Sequence, residues 1–92
     1  GYAKIKATVT DDSEMIFTPC RYKIADVEVL EGVHVEPIEE IVSFRGRFCE
    51  QARNGETVVA QGKVERVQAG EQVFHRLLLG NRTSDFMVSQ EA

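Results

Sequence analysis

Apolar residues fall at every second position in Ala3-Lys4-Ile5-Lys6-Ala7-Thr8-Val9, which places Ala3, Ile5, Ala7 and Val9 on one side of a half-buried strand. The polar run Asp11-Asp12-Ser13 is expected to turn the chain, and Met15-Ile16-Phe17-Thr18 then reads as a short strand ended by Pro19, which cannot donate to a ladder. From Arg21 to Leu30 the apolar positions begin at Tyr22 and Ile24 and change parity to Val27 and Val29. Such a change predicts a bulge near Ala25-Asp26, and Gly32 ends the strand. Between Val33 and Val42, Pro37 followed by Glu39, Glu40 and Ile41 suits one helical turn. Ser43 to Phe48 alternates again, with Phe44 and Phe48 on one face and Arg45 and Arg47 on the other. After a short turn over Glu50 to Arg53, the Asn54-Gly55 dipeptide is a strong turn signal. Thr57 to Val67 follows as a strand with Val58, Ala60, Gly62 and Val64 on one side, and Gly62 marks a bend or a close backbone approach. A turn at Gln68-Ala69-Gly70-Glu71 leads into Gln72 to Leu79, where Val73, His75, Leu77 and Leu79 share a face. Gly80-Asn81-Arg82 turns once more before a last short strand, Phe86-Met87-Val88.

Six or seven short, mostly antiparallel strands with at most one helical turn predict an all-β fold. Both faces of the Gln72 to Leu79 strand are partly apolar, so a small barrel, closed or partly open, or a sandwich is favoured over a sheet open to water. Barrels of the oligonucleotide-binding type are among the architectures this pattern fits. There is no internal repeat, low-complexity segment or linker, and 92 residues make a single domain, 1–92, with one core and no room for a deep cofactor cavity. A ligand site is therefore expected at the surface, and no cofactor is expected. The chain opens on Gly1 instead of Met, which points to excision from a longer protein.

Charge changes this picture in one place. The net charge is −4, and Asp26, Glu28, Glu31, Glu36, Glu39 and Glu40 stand within residues 25–42 with no Lys or Arg among them. Alternating with Val and Leu, these carboxylates read as a solvated face, not as a convergent metal site. The acidic total argues against a dedicated duplex-DNA binder, whose affinity rests on counterion release at a basic face. Apolar runs as short as Leu77-Leu78-Leu79 lie far below the roughly 20 residues a membrane helix needs, and a cytoplasmic protein with no membrane partner is expected. Cys20 and Cys49 have no C-x-x-C spacing and no histidine at a ligand interval, so they are expected as two free thiols with no metal.

Candidate chemistry is sparse. His34 lies between Val33 and Val35 and reads as exposed; His75 shares parity with Leu77 and Leu79 and reads as a barrel histidine held by a backbone group. No phosphate-binding glycine loop, dinucleotide fingerprint or zinc-protease motif occurs, so an enzyme is not expected and no catalytic residue is assigned. The constellation with most content is Ser43-Phe44-Arg45-Gly46-Arg47-Phe48-Cys49-Glu50-Gln51, because guanidinium forks suit phosphate or carboxylate. Its bland counterpart is internal pairing of the arginines with Glu50, Glu65 or Asp85.

Those residues also carry a resemblance. The run from Ser43 through Arg45-Gly46-Arg47-Phe48 to Glu50-Gln51-Ala52, then Gly55-Glu56 through Val67, then Arg76-Leu77, Leu79-Gly80 and Asp85-Phe86, is similar to the C-terminal region of a family of archaeal predicted nucleotidyltransferases. The likeness spans roughly residues 20–88. In that family a domain similar to polymerase-β-type transferases precedes a small domain of this kind. The resemblance implies a partner catalytic domain in the parent chain and no catalysis here, since the Gly-Ser turn and the D-x-D carboxylate pair of such transferases are missing. Asp11 and Asp12 are adjacent and point to opposite faces, so they do not replace the pair.

Two expectations follow. In the first, the domain is a docking or homodimerisation module that uses an apolar strip such as Phe74, Leu78 and Met87; the charge and the low aromatic content put this slightly ahead. In the second, Arg45, Arg47, Arg76 and Arg82 form a local basic patch, with Phe44 or Phe74 as a stacking face for single-stranded nucleic acid or a nucleotide. Arginines gathered on one exposed face would favour binding; arginines each paired with a carboxylate would favour docking.

Overall fold

The computed structural model describes residues 1–14 and 18–89, and six strands run through them. They are β1 (Tyr2–Glu14), β2 (Cys20–Gly32), β3 (Ile38–Ser43), β4 (Thr57–Ala69), β5 (Gln72–Leu79) and β6 (Phe86–Val88). The pairing order β1-β2-β3-β5-β4 returns to β1 through a β1–β4 ladder, which closes a five-stranded barrel; β6 adds to β4 as an extra strand. All pairs are antiparallel except β3–β5. This is the connectivity of the oligonucleotide- and oligosaccharide-binding barrel, and it confirms the all-β barrel that the alternation predicts.

The inward residues follow the pleat. Ala3, Ile5, Ala7 and Val9 of β1, Tyr22 and Ile24 of β2, Ile38 and Ile41 of β3, Val58 and Ala60 of β4, and Leu77 and Leu79 of β5 fill the interior. The parity change in β2 is a bulge: Thr8 pairs with Ala25, whereas Lys6 pairs with Glu28, so β2 has one residue more than β1 there. Asp26 sits in the bulge at φ 53°, a left-handed conformation that aspartate tolerates better than most residues. Gly62 permits the close approach expected of it, since a Cβ there would fall on the Leu78 carbonyl oxygen of β5. Near the end of the barrel the Tyr22 and Phe86 rings stack with centroids 5.0 Å apart, and Phe48 meets Phe86 edge-on.

Four expectations give way. Asp11-Asp12-Ser13 does not turn the chain, because β1 continues to Glu14 alongside Lys23 and Arg21 of β2. The helical turn at Pro37 is absent: Ile38 to Ser43 form strand β3 between β2 and β5, where β-branched Ile38, Ile41 and Val42 pack better than in a single turn of helix. The run from Ser43 to Phe48 is no strand either. β3 stops at Ser43, whose hydroxyl binds the backbone N–H of Arg45 at 3.0 Å, and Gly46–Phe48 is a turn of 3-10 helix. Phe48 is consequently buried, while Phe44 is 59% exposed. The two cysteines are joined in a disulfide with Cα atoms 5.8 Å apart, because the first residue of β2 and the residue after the 3-10 turn meet at one end of the barrel. The strand expected over Met15 to Thr18 falls on residues 15–17, outside the described residues.

Candidate functional site

Arginine positions separate into two groups. Arg76 points outward from β5, where its Nε donates to Oε1 of Glu65 on β4 at 2.7 Å, and its guanidinium also faces Oε1 of Glu40 on β3 at 3.8 Å. Glu40 is shared with Arg21 of β2 at 3.7 Å. A row of alternating charge thus crosses four strands, Arg21, Glu40, Arg76, Glu65. Glu40 belongs to the acidic block expected to be solvated, but its side chain is only 7% exposed. Its burial is tolerable because two guanidiniums face it. Arg76 therefore leaves the expected patch and becomes part of the barrel wall. Phe74, also outward on β5, is half-buried against its cross-strand partner Val67 and lies away from Phe44.

Arg45 and Arg47 form the second group, with Phe44 beside them, on the β3–β4 connection. All three side chains are exposed, and no carboxylate among the described residues pairs with either guanidinium. Arg47 lies 5.8 Å from the ring centre of buried Phe48, and its guanidinium reaches the Thr83 hydroxyl at 3.5 Å. That contact brings the segment next to Arg82, which precedes a second 3-10 turn, Thr83–Asp85. Three of the four expected arginines are thereby gathered at one end of the barrel.

What distinguishes this segment from an ordinary loop is how firmly it is held. The disulfide ties Cys49 to β2. The Tyr22 hydroxyl, buried in the barrel end, donates to the Phe48 carbonyl and accepts from the backbone N–H groups of Gln51 at 3.1 Å and Ala52 at 3.4 Å. Burial pushes the Tyr22 hydroxyl above its ordinary pKa, against the opposing pull of the two N–H donors. Ser43 closes the start of the segment, and Gly55 N–H donates to the Val9 carbonyl at 2.7 Å near its end. Sequence reasoning finds the arginines and misses these anchors, since Tyr22, Cys20 and Val9 belong to distant strands.

The expected carboxylate partners are placed otherwise. Asp85 is buried and takes Gln61 Nε2 at 2.9 Å and the backbone N–H of Arg82 at 3.1 Å, so it shapes the turn. Glu50 is exposed at φ 62° and makes no ion pair among the described residues. Glu65 does form an ion pair, but with Arg76 and not with Arg45 or Arg47. His75 Nδ1 sits 3.2 Å from the Pro37 carbonyl, the backbone partner anticipated for it. Of the apolar strip Phe74, Leu78 and Met87, only Met87 is open to solvent, at 54%; the others are half-buried. No group of three His, Cys, Asp or Glu among the described residues could hold a metal ion, and no helix there is long and apolar enough to cross a membrane.

The chain is 36% identical over 88 residues to an uncharacterized protein of Methanocaldococcus jannaschii. The match takes in 94% of this chain and 24% of the relative, so the chain corresponds to about a quarter of a longer archaeal protein. Neither a described protein family nor a solved structure matches it.

Proposed function

We propose that this domain is a non-catalytic accessory module that binds single-stranded nucleic acid or a nucleotide through Phe44, Arg45, Arg47 and Arg82. The observation that carries the reading is the pairing of an exposed aromatic ring with two guanidiniums free of carboxylates on a segment fixed at both ends. A fixed segment loses little conformational entropy on binding, and an aromatic face beside arginines is how proteins hold unpaired bases and their phosphates. The modest charge suits contact with a few phosphates in place of a duplex track. The resemblance to archaeal predicted nucleotidyltransferases supports a setting in which a catalytic domain of the parent chain acts on the strand or nucleotide that this module holds. The reading as a docking or dimerisation strip is weaker, because Phe74 and Leu78 are already half-covered by the barrel's own side chains.

Fluorescence anisotropy with labelled oligothymidylate at two salt concentrations tests the proposal. Saturable binding that weakens with salt is expected. Arg45→Ala with Arg47→Ala should lower the salt slope by about 1.4, at ~0.7 for each single-strand phosphate contact, with an unchanged melting temperature. Phe44→Ala should weaken binding by about tenfold or more, from ~1–3 kcal/mol of stacking per base. No binding by the unaltered chain at low salt, or undiminished binding by the double variant, would overturn the assignment.

A further inference from the structure

The barrel wall is incomplete on one side of β2. That strand pairs with β1 along its length, but its other edge meets β3 only from Cys20 to Lys23. Beyond Lys23 the chain of β3 turns away: residues 33–37 loop outward, and Ile38 takes its backbone partner from β5. From Ile24 to Leu30 this second edge has no ladder partner among the described residues. A strand edge left open in this way presents a row of unpaired N–H and C=O groups.

The edge borders an open cleft of about 790 Å³, whose opposite wall is His34 to Glu39. Val27, Val29 and Val35 are half-buried in it, and Ile38 closes its floor. Its rim carries Asp26, Glu36 and Glu39, and Glu28 stands exposed on the same strand; no Lys or Arg lines it. The cleft thus combines an open strand edge, an apolar floor and a rim of one sign of charge.

We infer that this cleft takes an extended polypeptide segment as an added strand on β2, with apolar side chains toward Val27, Val29 and Val35 and lysines or arginines toward the acidic rim. Each part of the cleft fixes one property of the occupant. The free edge demands an extended backbone with its own unpaired amides, which nucleic acid lacks. The floor demands apolar residues at alternate positions. The rim demands positive charge between them, and rejects acidic segments by like-charge repulsion. The seven residues from Ile24 to Leu30 offer about 20 Å of edge, enough for a short strand. This site lies at the opposite end of β3 from Phe44 and Arg45, so the two stand or fall separately.

A short peptide alternating lysine and valine, labelled with fluorescein, provides the probe, with a glutamate–valine peptide as its counterpart. The 92-residue chain should bind the first saturably and not the second. Methylating the backbone nitrogens of one alternate set of peptide residues should weaken binding about tenfold or more, and methylating the other set should change it little, because a strand offers only one edge to its neighbour. Hydrogen exchange should show added amide protection within residues 24–30 on binding. Glu36→Lys with Glu39→Lys, both at exposed positions, should weaken the lysine–valine peptide about tenfold and leave oligothymidylate binding unaltered. Equal binding of both methylated peptides would reduce the effect to charge attraction and overturn the proposal. So would protection confined to other strands, absence of saturable binding, or sedimentation showing that a second copy of the chain already fills the cleft.

Discussion

The Tyr22 hydroxyl has one proton to give and two lone pairs to receive, and the Phe48 carbonyl and the N–H groups of Gln51 and Ala52 use all three. Tyr22→Phe keeps the ring on Phe86 and strands those three backbone groups, so urea unfolding should show a loss of about 1–3 kcal/mol. The same burial makes the residue sensitive to alkali. Its folded pKa lies above the ordinary value of about 10, so the unfolded chain releases this proton first as pH rises. The contribution is complete below pH 10 and is lost as pH climbs from there through the folded value. Stability measured across that window should fall for the native chain, and the Tyr22→Phe slope should be shallower. A slope unchanged by the substitution would assign the alkaline loss to other groups.

At the level of elements, the strands are legible where one face is buried and neighbouring residues reinforce the pattern. Ala3 to Val9 and Val58 to Val64 follow a strict period of two, and the parity change at Asp26 marks a bulge because one extra residue must flip every later side chain. β3 is hidden by composition: Pro37, Glu39 and Glu40 imitate a helix start, and only its long-range partners, β2 on one side and β5 on the other, make the segment a strand. The Phe44 and Phe48 spacing imitates alternation although the chain folds into a 3-10 turn, which a sequence period cannot distinguish over so few residues. For the site, Phe44, Arg45, Arg47 and Arg82 are legible by type. Their separation from Arg76 is not, since it depends on which strand faces which. The disulfide is likewise a long-range fact, closing a separation of 29 residues. Cys20→Ala with Cys49→Ala should lower the unfolding free energy by about 3–4 kcal/mol on the loop-closure account. At Gly62, where β4 presses on β5, Gly62→Ala should cost about 1–3 kcal/mol, read as a lower denaturation midpoint.

Over the whole molecule, charge is sorted along β3. Asp26, Glu36 and Glu39 gather near its start and Arg45, Arg47 and Arg82 near its end, roughly 20 Å away for a strand of this length. A net charge of −4 therefore hides two fields of opposite sign, each screened within about 8–10 Å at ordinary salt. The row of Arg21, Glu40, Arg76 and Glu65, in which Glu40 alone is buried, lies between them and serves the wall. Arg76→Ala removes the cation beside Glu65 and one of the two that face Glu40; because Arg76 is 26% exposed and Arg21 still faces Glu40, the loss should be about 1–2 kcal/mol. Oligothymidylate affinity should stay as it is, the reverse of the pattern expected for Arg45→Ala with Arg47→Ala. Equal effects of both sets on affinity would place Arg76 back among the binding residues.

Closure of the barrel through β1 and β4 sets a timetable for synthesis. Tyr2 pairs with Lys63 and Thr8 with Thr57, so the first strand made waits for one encoded more than half a chain later. The β4–β5 hairpin can form locally around Gly70, and β1 can meet β2 early, but the seam between them has to bridge a long loop before any contact rewards it. A nascent chain halted before Thr57 has its β1 edge bare and the apolar side of Ala3, Ile5 and Ala7 only half enclosed. In the cell, whatever emerges ahead of this domain or shields it on the ribosome must keep that edge from finding a foreign strand until β4 arrives.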